Sequence, residues 1–322
     1  IRKTENPSLI AAALLDEAQL AASLSNSKKL DQLLKELEIL GDQKAISAEG
    51  KGVLSWLKGL QLLARGKPND AVSFFESSLE MAQAAKDSVK SIDAMYGLMV
   101  SHFKGGRRGA AIENYRLALQ ATRNSDVSAG ERIRRTFELL AVLYEAGEYK
   151  EGWDDMETLF RESELIFGRD SKSQYPLYLY WLNWAIKVNK QDIAEGVFLR
   201  LKRSKNFEEA TASRTSSIDW AMTYVRILSA VGNYREAAVT LKNIEILDID
   251  NESKLYGAVL HAEILLKQKK YIQALIILEQ PEWLTSEDDN WTGRKDWRIY
   301  KKYYSGVALY NLGRYAEAET LL

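Results

Sequence analysis

Apolar side chains gather into helical stretches along this chain, separated by short polar breaks, and no stretch reads as a convincing strand. The pattern is clearest over 303–322, YYSGVALYNLGRYAEAETLL. Gly306 stands seven residues before Gly313, Tyr315 follows two residues after it, and Ala318 three after that. This spacing predicts two helices joined by a tight turn. Gly306 is the point of close approach between them, Gly313 supplies a turn residue with positive φ, and Ala318 sits where they touch.

The same pattern recurs. Gly232, Tyr234 and Ala237 repeat it in full, and Tyr271 and Ala274 repeat it with lysine at the turn, Lys269. Gly147 and Tyr149 are followed by Gly152 in place of alanine. Gly106 precedes Ala111, Tyr115 and Ala118, while Gly66 precedes Ala71 and Phe75, with Gly59 seven before its turn. Fainter copies turn at Asn189, followed by Ala194 and Phe198, and at Ser25, followed by Leu30 and Leu34. The predicted turns at 25, 66, 106, 147, 189, 232, 269 and 313 are 41, 40, 41, 42, 43, 37 and 44 residues apart. A near-constant step covering almost the whole chain is the mark of a repeat array.

With these residues in hand, the chain resembles the tetratricopeptide repeat, a helix-turn-helix unit of ~34 residues. Its longer step is similar to the variants of about 40 to 42 residues in kinesin light chain and in several bacterial peptide-sensing regulators. HEAT and armadillo arrays share the step but lack the Gly-x-Tyr-x2-Ala turn. The resemblance implies an all-α fold: one α-solenoid domain over 1–322, a right-handed superhelix of about 7.5 repeats and sixteen helices. All four prolines fall at predicted helix boundaries. Pro68 and Pro176 suit first-turn positions, and Ser128 with Glu131 forms a capping-box pattern. The helix over 175–187 carries Tyr175, Tyr178, Tyr180, Trp181 and Trp184 around its circumference, as a helix buried on all sides would. The longest interruption is 282–295. The absence of an initiator Met and the end at Leu322 within a second helix lead us to expect a piece of a longer protein.

Composition narrows the chemistry. A net charge of −1 gives no reason to expect nucleic acid, and no apolar run reaches the ~18 residues of a membrane span. Cysteine is absent, which excludes disulfides and thiolate metal sites. The cytoplasm is the favoured compartment, with the bacterial periplasm as alternative. His102 and His261 join no constellation. Neither Gly50-Lys-Gly52 nor the glycines at 105, 106 and 109 form a P-loop. The calcium-like stretches from Asp248 and Asp288 lack the terminal carboxylate. No catalysis, metal or cofactor is expected.

In the resembled family, side chains 13, 10, 6 and 3 positions before each turn face the concave groove, which the first helices line. Carried onto this chain, those offsets nominate Trp56 in repeat two, Tyr96 and Phe103 in repeat three, and Arg134 and Tyr144 in repeat four. They nominate Asn183 in repeat five, Met222 and Arg226 in six, Glu263 in seven, and Tyr300, Tyr303 and Tyr310 in eight. Tyr, Trp, Met and Arg suit interface hot spots, and Asn183 and Arg226 offer several donors to a peptide backbone or carboxylate. The chaperone-tail clamp of the family is missing its Lys-x3-Asn pair, since Leu179 stands four before Asn183. The expected function is a non-catalytic scaffold or adaptor that binds a protein or peptide segment in the groove. The alternative is a ligand- or peptide-sensing module of a larger signalling or transcription regulator. A homodimer through the open C-terminal repeat is a further option.

Overall fold

The structure is a computed structural model describing residues 6–23, 26–42, 45–169, 171, 174–204, 207, 214–245, 251–279 and 297–322. The first predicted turn residue, Ser25, the interruption 282–295 and the calcium-like stretch from Asp288 lie outside the described residues. The chain divides into two compact units, Ile1–Leu159 and Phe160–Leu322. Among the described residues the structure is all-helical without strands, and its helices pack in consecutive pairs, as an α-solenoid does.

The first unit holds α1 (Pro7–Ser23), α2 (Ser27–Asp42), α3 (Ala48–Ala64), α4 (Pro68–Ala84), α5 (Ser88–Lys104), α6 (Arg108–Asn124) and α7 (Ala129–Glu145). The unit boundary falls within α8 (Trp153–Phe167). The second unit continues with α9 (Tyr175–Lys187), α10 (Gln191–Lys202), α11 (Arg214–Ala230) and α12 (Tyr234–Glu245). It ends with α13 (Asn251–Lys267), α14 (Tyr271–Leu278), α15 (Trp297–Asn311) and α16 (Tyr315–Glu319). Each odd-numbered helix is the first of a pair. First helices also pack on one another within each unit: α1 on α3 and α3 on α5 in the first, α9 on α11, α11 on α13 and α13 on α15 in the second.

The turns close the pairs in one way. Gly66, Gly106, Gly147, Asn189, Gly232, Lys269 and Gly313 all have positive φ, between 60° and 84°. The amide that follows each of them donates to a carbonyl five residues back, from Lys67 to Leu62 (2.9 Å) through Arg314 to Leu309 (3.0 Å). This is the Schellman closure, which satisfies carbonyls orphaned at the end of the first helix. The first pair shows the same bond, from Asn26 N–H to the Ala21 carbonyl at 2.9 Å. Glycine and asparagine adopt the left-handed conformation at little cost, whereas Lys269 costs roughly 1–2 kcal/mol there.

Five residues beyond each turn a small side chain is buried at the pair's contact: Ala71, Ala111, Ala194, Ala237 and Ala274 are 0% exposed. Nine beyond, a large apolar side chain is buried: Phe75, Tyr115, Met156, Phe198, Leu241 and Leu278. The Phe75 ring lies between Gly59 of α3 and Gly97 of α5. A Cβ at Gly59 would stand 2.7 Å from the ring, and one at Gly97 would clash with it too. Gly306 serves Leu322 in the same way, at 2.6 Å. The aromatic helix α9 is enclosed as expected: Tyr178 and Trp184 are 0% exposed. Phe160 stacks on Trp181 at 4.6 Å and meets Tyr178 edge-on at 5.2 Å. At α7, Ser128 Oγ accepts from Glu131 N–H at 3.2 Å, while the Glu131 carboxylate turns to Arg134 and Arg135.

Gly97→Ala is expected to destabilise the first unit by about 1–3 kcal/mol, because overpacking against Phe75 outweighs the gain in helix propensity. Adding Phe75→Leu should restore part of the loss. Urea unfolding of the single and double variants checks this. A Gly97→Ala protein as stable as wild type would contradict the packing.

Candidate functional site

In the second unit the side chains six residues before three successive turns, Asn183, Arg226 and Glu263, stand on neighbouring first helices α9, α11 and α13. Arg226 Nη1 donates to Asn183 Oδ1. Asn183 Nδ2 donates in turn to the Leu179 carbonyl at 2.8 Å and to Thr223 Oγ1 at 3.3 Å. Glu263 accepts from Lys267 Nζ at 2.9 Å and from the Tyr304 hydroxyl at 3.1 Å. Lys267 Nζ also donates to Ser229 Oγ at 3.2 Å. Beside the Asn183–Arg226 bond lies a hollow of about 120 Å³ lined by Lys187, Arg226, Ser229, Glu263, Lys267 and Tyr304 with neighbouring apolar residues. Its lining carries three cations against one carboxylate. Burial, and then the nearby Arg226 guanidinium, hold the Lys187 ammonium below its usual pKa. Burial and the Glu263 carboxylate push the Tyr304 phenol up, so it remains a donor.

Lys187, Lys267 and Tyr304 were not among the nominated residues. Both lysines stand two before a turn, an offset outside the four carried from the resembled family. Reading that column for charge would have found them. Tyr304 lies one residue from the nominated Tyr303. Tyr300, Tyr303 and Tyr310 are 39%, 53% and 59% exposed on α15, with Tyr303 edge-on to Tyr304.

Two nominations need correction. Met222 is 1% exposed, and a Cβ at Gly257 of α13 would stand 3.4 Å from its methyl group. It is a packing residue between first helices. Tyr144 is 8% exposed and meets Tyr149, across its turn, edge-on at 5.2 Å. The equivalent pair Tyr310 and Tyr315 has the same 5.2 Å separation. Aromatics three before and two after the turn thus clasp the turn itself.

In the first unit, Trp56 is half-buried and forms one wall of a second hollow, about 130 Å³, between α3, α4 and α5. Tyr96 and Phe103 are half-buried on α5. Burial raises the pKa of the Tyr96 phenol, helped by Glu138 and Glu145. Arg134 is exposed, but both faces of its guanidinium are taken: it bonds Glu131 at 2.6 and 2.8 Å and also pairs with Glu138. The adjacent Arg135 has a different role. Its side chain is 9% exposed and bridges Asp93 of the preceding repeat (2.6 Å) and Glu131 (2.7 Å). The Glu131 carboxyl is held down to about 2 by Arg134 first and then Arg135.

No protein-family model matches the chain, and no curated protein matches it. Among solved structures, Ton1535 from Thermococcus onnurineus NA1 is 16% identical, with 97% of this chain and 92% of that one covered and a TM-score of 0.33. A likeness at that score bears on neither the fold nor the function of this chain. Among the described residues no group of three His, Cys, Asp or Glu side chains is placed to hold a metal ion, and no helix is long and apolar enough to cross a membrane. His102 is buried on α5, and burial followed by Arg107 keeps its imidazole below the ordinary pKa.

The two arginines separate structure from surface. Arg135→Ala should cost the first unit about 1.5–3 kcal/mol, because two carboxylates lose a charged donor in a partly buried setting. Arg134→Ala should cost about 0–1 kcal/mol. Chemical denaturation of each variant reads the difference, and equal losses would contradict these roles.

Proposed function

We propose that the chain is a non-catalytic adaptor of the long-period tetratricopeptide type, whose first-helix face holds an extended segment of a partner protein. The observation that carries this reading is the row of polar side chains six before three successive turns. Asn183, Arg226 and Glu263 share one register on adjacent first helices; Arg226 and Glu263 line a hollow, and Asn183 holds the Arg226 guanidinium. A repeat array places such a row at regular intervals, and an extended segment presents its own backbone groups at regular intervals. Arg226, held in place by Asn183, can donate to carbonyls of that segment, and Glu263 can accept from its amides. The exposed Tyr300 and Tyr303 on α15 add amphipathic surface of the kind that contributes heavily at protein interfaces.

Adaptor function is tested by capturing a partner with the wild-type chain and then measuring its affinity calorimetrically. The binding variants are Asn183→Ala and Arg226→Ala, and the control is Ile272→Ser on the exposed side of the second helix α14. Either alanine is expected to weaken binding at least tenfold, about 1.4 kcal/mol, with helicity unchanged by circular dichroism. The control should bind as wild type. Affinity unchanged in both alanine variants but lost in Ile272→Ser would overturn the reading.

A further inference from the structure

The hollow beside Trp56 has an apolar interior and an acidic mouth. Its interior is made by Gly52 and Trp56 of α3 with Met81, Ala82 and Ala85 from the end of α4. The space exists because the side chains there are short. Gly52 has none, and a Cβ at that position would already approach the Met81 Cβ at 3.2 Å. Trp56 packs on the apolar clusters of both neighbouring pairs, so its indole is a fixed wall.

Glu49, Asp87 and Asp93 stand at the mouth with one cation, Lys90. Lys90 is shared between Glu49 and Asp87, the latter at 3.2 Å. Arg135 adds a second cation beside Asp93 but brings Glu131 with it. Arg134 in turn pairs with Glu131 and Glu138, so five carboxylates face three cations. The Glu49 side chain is 67% exposed, so this excess is open to solvent. An apolar cavity under a negative rim selects against anionic partners and attracts cationic ones before contact.

We propose that the Trp56 hollow receives one apolar side chain of a partner segment whose flanking residues are Lys or Arg. This rests on the adaptor reading above and adds the chemistry of the segment. The apolar side chain gains by leaving water against Trp56 and Met81. The flanking cations pair with Glu49, Asp87 and Asp93, while the hollow admits no second large group.

The probe is the whole chain labelled with ¹³C at the methionine methyls. There are five methionines. Met81 lines the hollow, whereas Met95, Met99, Met156 and Met222 are buried elsewhere. Three amidated, acetylated pentapeptides are titrated to millimolar concentration: Lys-Lys-Leu-Lys-Lys, Lys-Lys-Ala-Lys-Lys and Glu-Glu-Leu-Glu-Glu. The lysine–leucine peptide is expected to shift Met81 alone, binding at least tenfold more tightly than either control peptide. Glu49→Gln should weaken it about threefold, in the range of one exposed ion pair. Ala85→Leu, which fills the mouth from an exposed position at the end of α4, should abolish the shift. Equal or tighter binding of the glutamate peptide, or a shift that survives Ala85→Leu, overturns the proposal. A Met81 resonance silent to all three peptides overturns it too. If partner capture still depends on Arg226 in that case, the adaptor reading stands without this hollow; if it does not, both fall.

Discussion

Each helix pair depends on one left-handed residue. At seven described turns that residue lets the next amide reach back to a carbonyl five residues earlier, and the second helix leaves at a repeatable angle. Everything else is counted from this point. The small residue five beyond it and the large apolar residue nine beyond it are buried, and Phe75 wedges between the first helices α3 and α5. Where the wedge is Phe75, the walls must be glycine on both sides. A change of one residue in the turn would move every later side chain by about 100° around its helix. Position along the turn-to-turn step therefore determines which side chains pack and which face solvent.

Much of the fold was legible because backbone constraints are local. A glycine followed by Tyr-x2-Ala can be read in six residues, and seven of the eight turns were placed at residues that have positive φ. Even Lys269 and Asn189, which depart from glycine, were found from the residues that follow them, Tyr271 and Ala274 in one case and Ala194 and Phe198 in the other. The enclosed α9 was legible from its ring of aromatics. The site was less so, because side-chain partners lie one repeat away. The Arg135 bridge to Asp93 and the Arg226 bond to Asn183 span 42 and 43 residues. Nothing in the local pattern separates Arg134, neutralised on its own helix, from Arg135 beside it. Tyr144 and Met222 carried the residue types of an interface, yet one clasps a turn and the other fills the gap at Gly257.

The two candidate hollows differ in chemistry. In the first unit short side chains leave an apolar space under carboxylates. In the second, three cations gather around one carboxylate. Both are bordered by first helices, and both arise where a column of the repeat departs from its usual residue: Gly52 in one unit, Arg226 and Glu263 in the other. A regular array can tolerate such departures because each repeat is held by its own turn and its neighbours.

The claim that function resides on the first-helix face is tested most directly by hydroxyl-radical footprinting of the chain with and without its captured partner. The account predicts that Trp56 on α3 and Tyr300 and Tyr303 on α15 lose label when the partner binds. Exposed side chains of second helices, Ile193, Val239, Ile272 and Ile276, should label equally in both states. Protection of those second-helix residues, with Trp56, Tyr300 and Tyr303 unchanged, would contradict it.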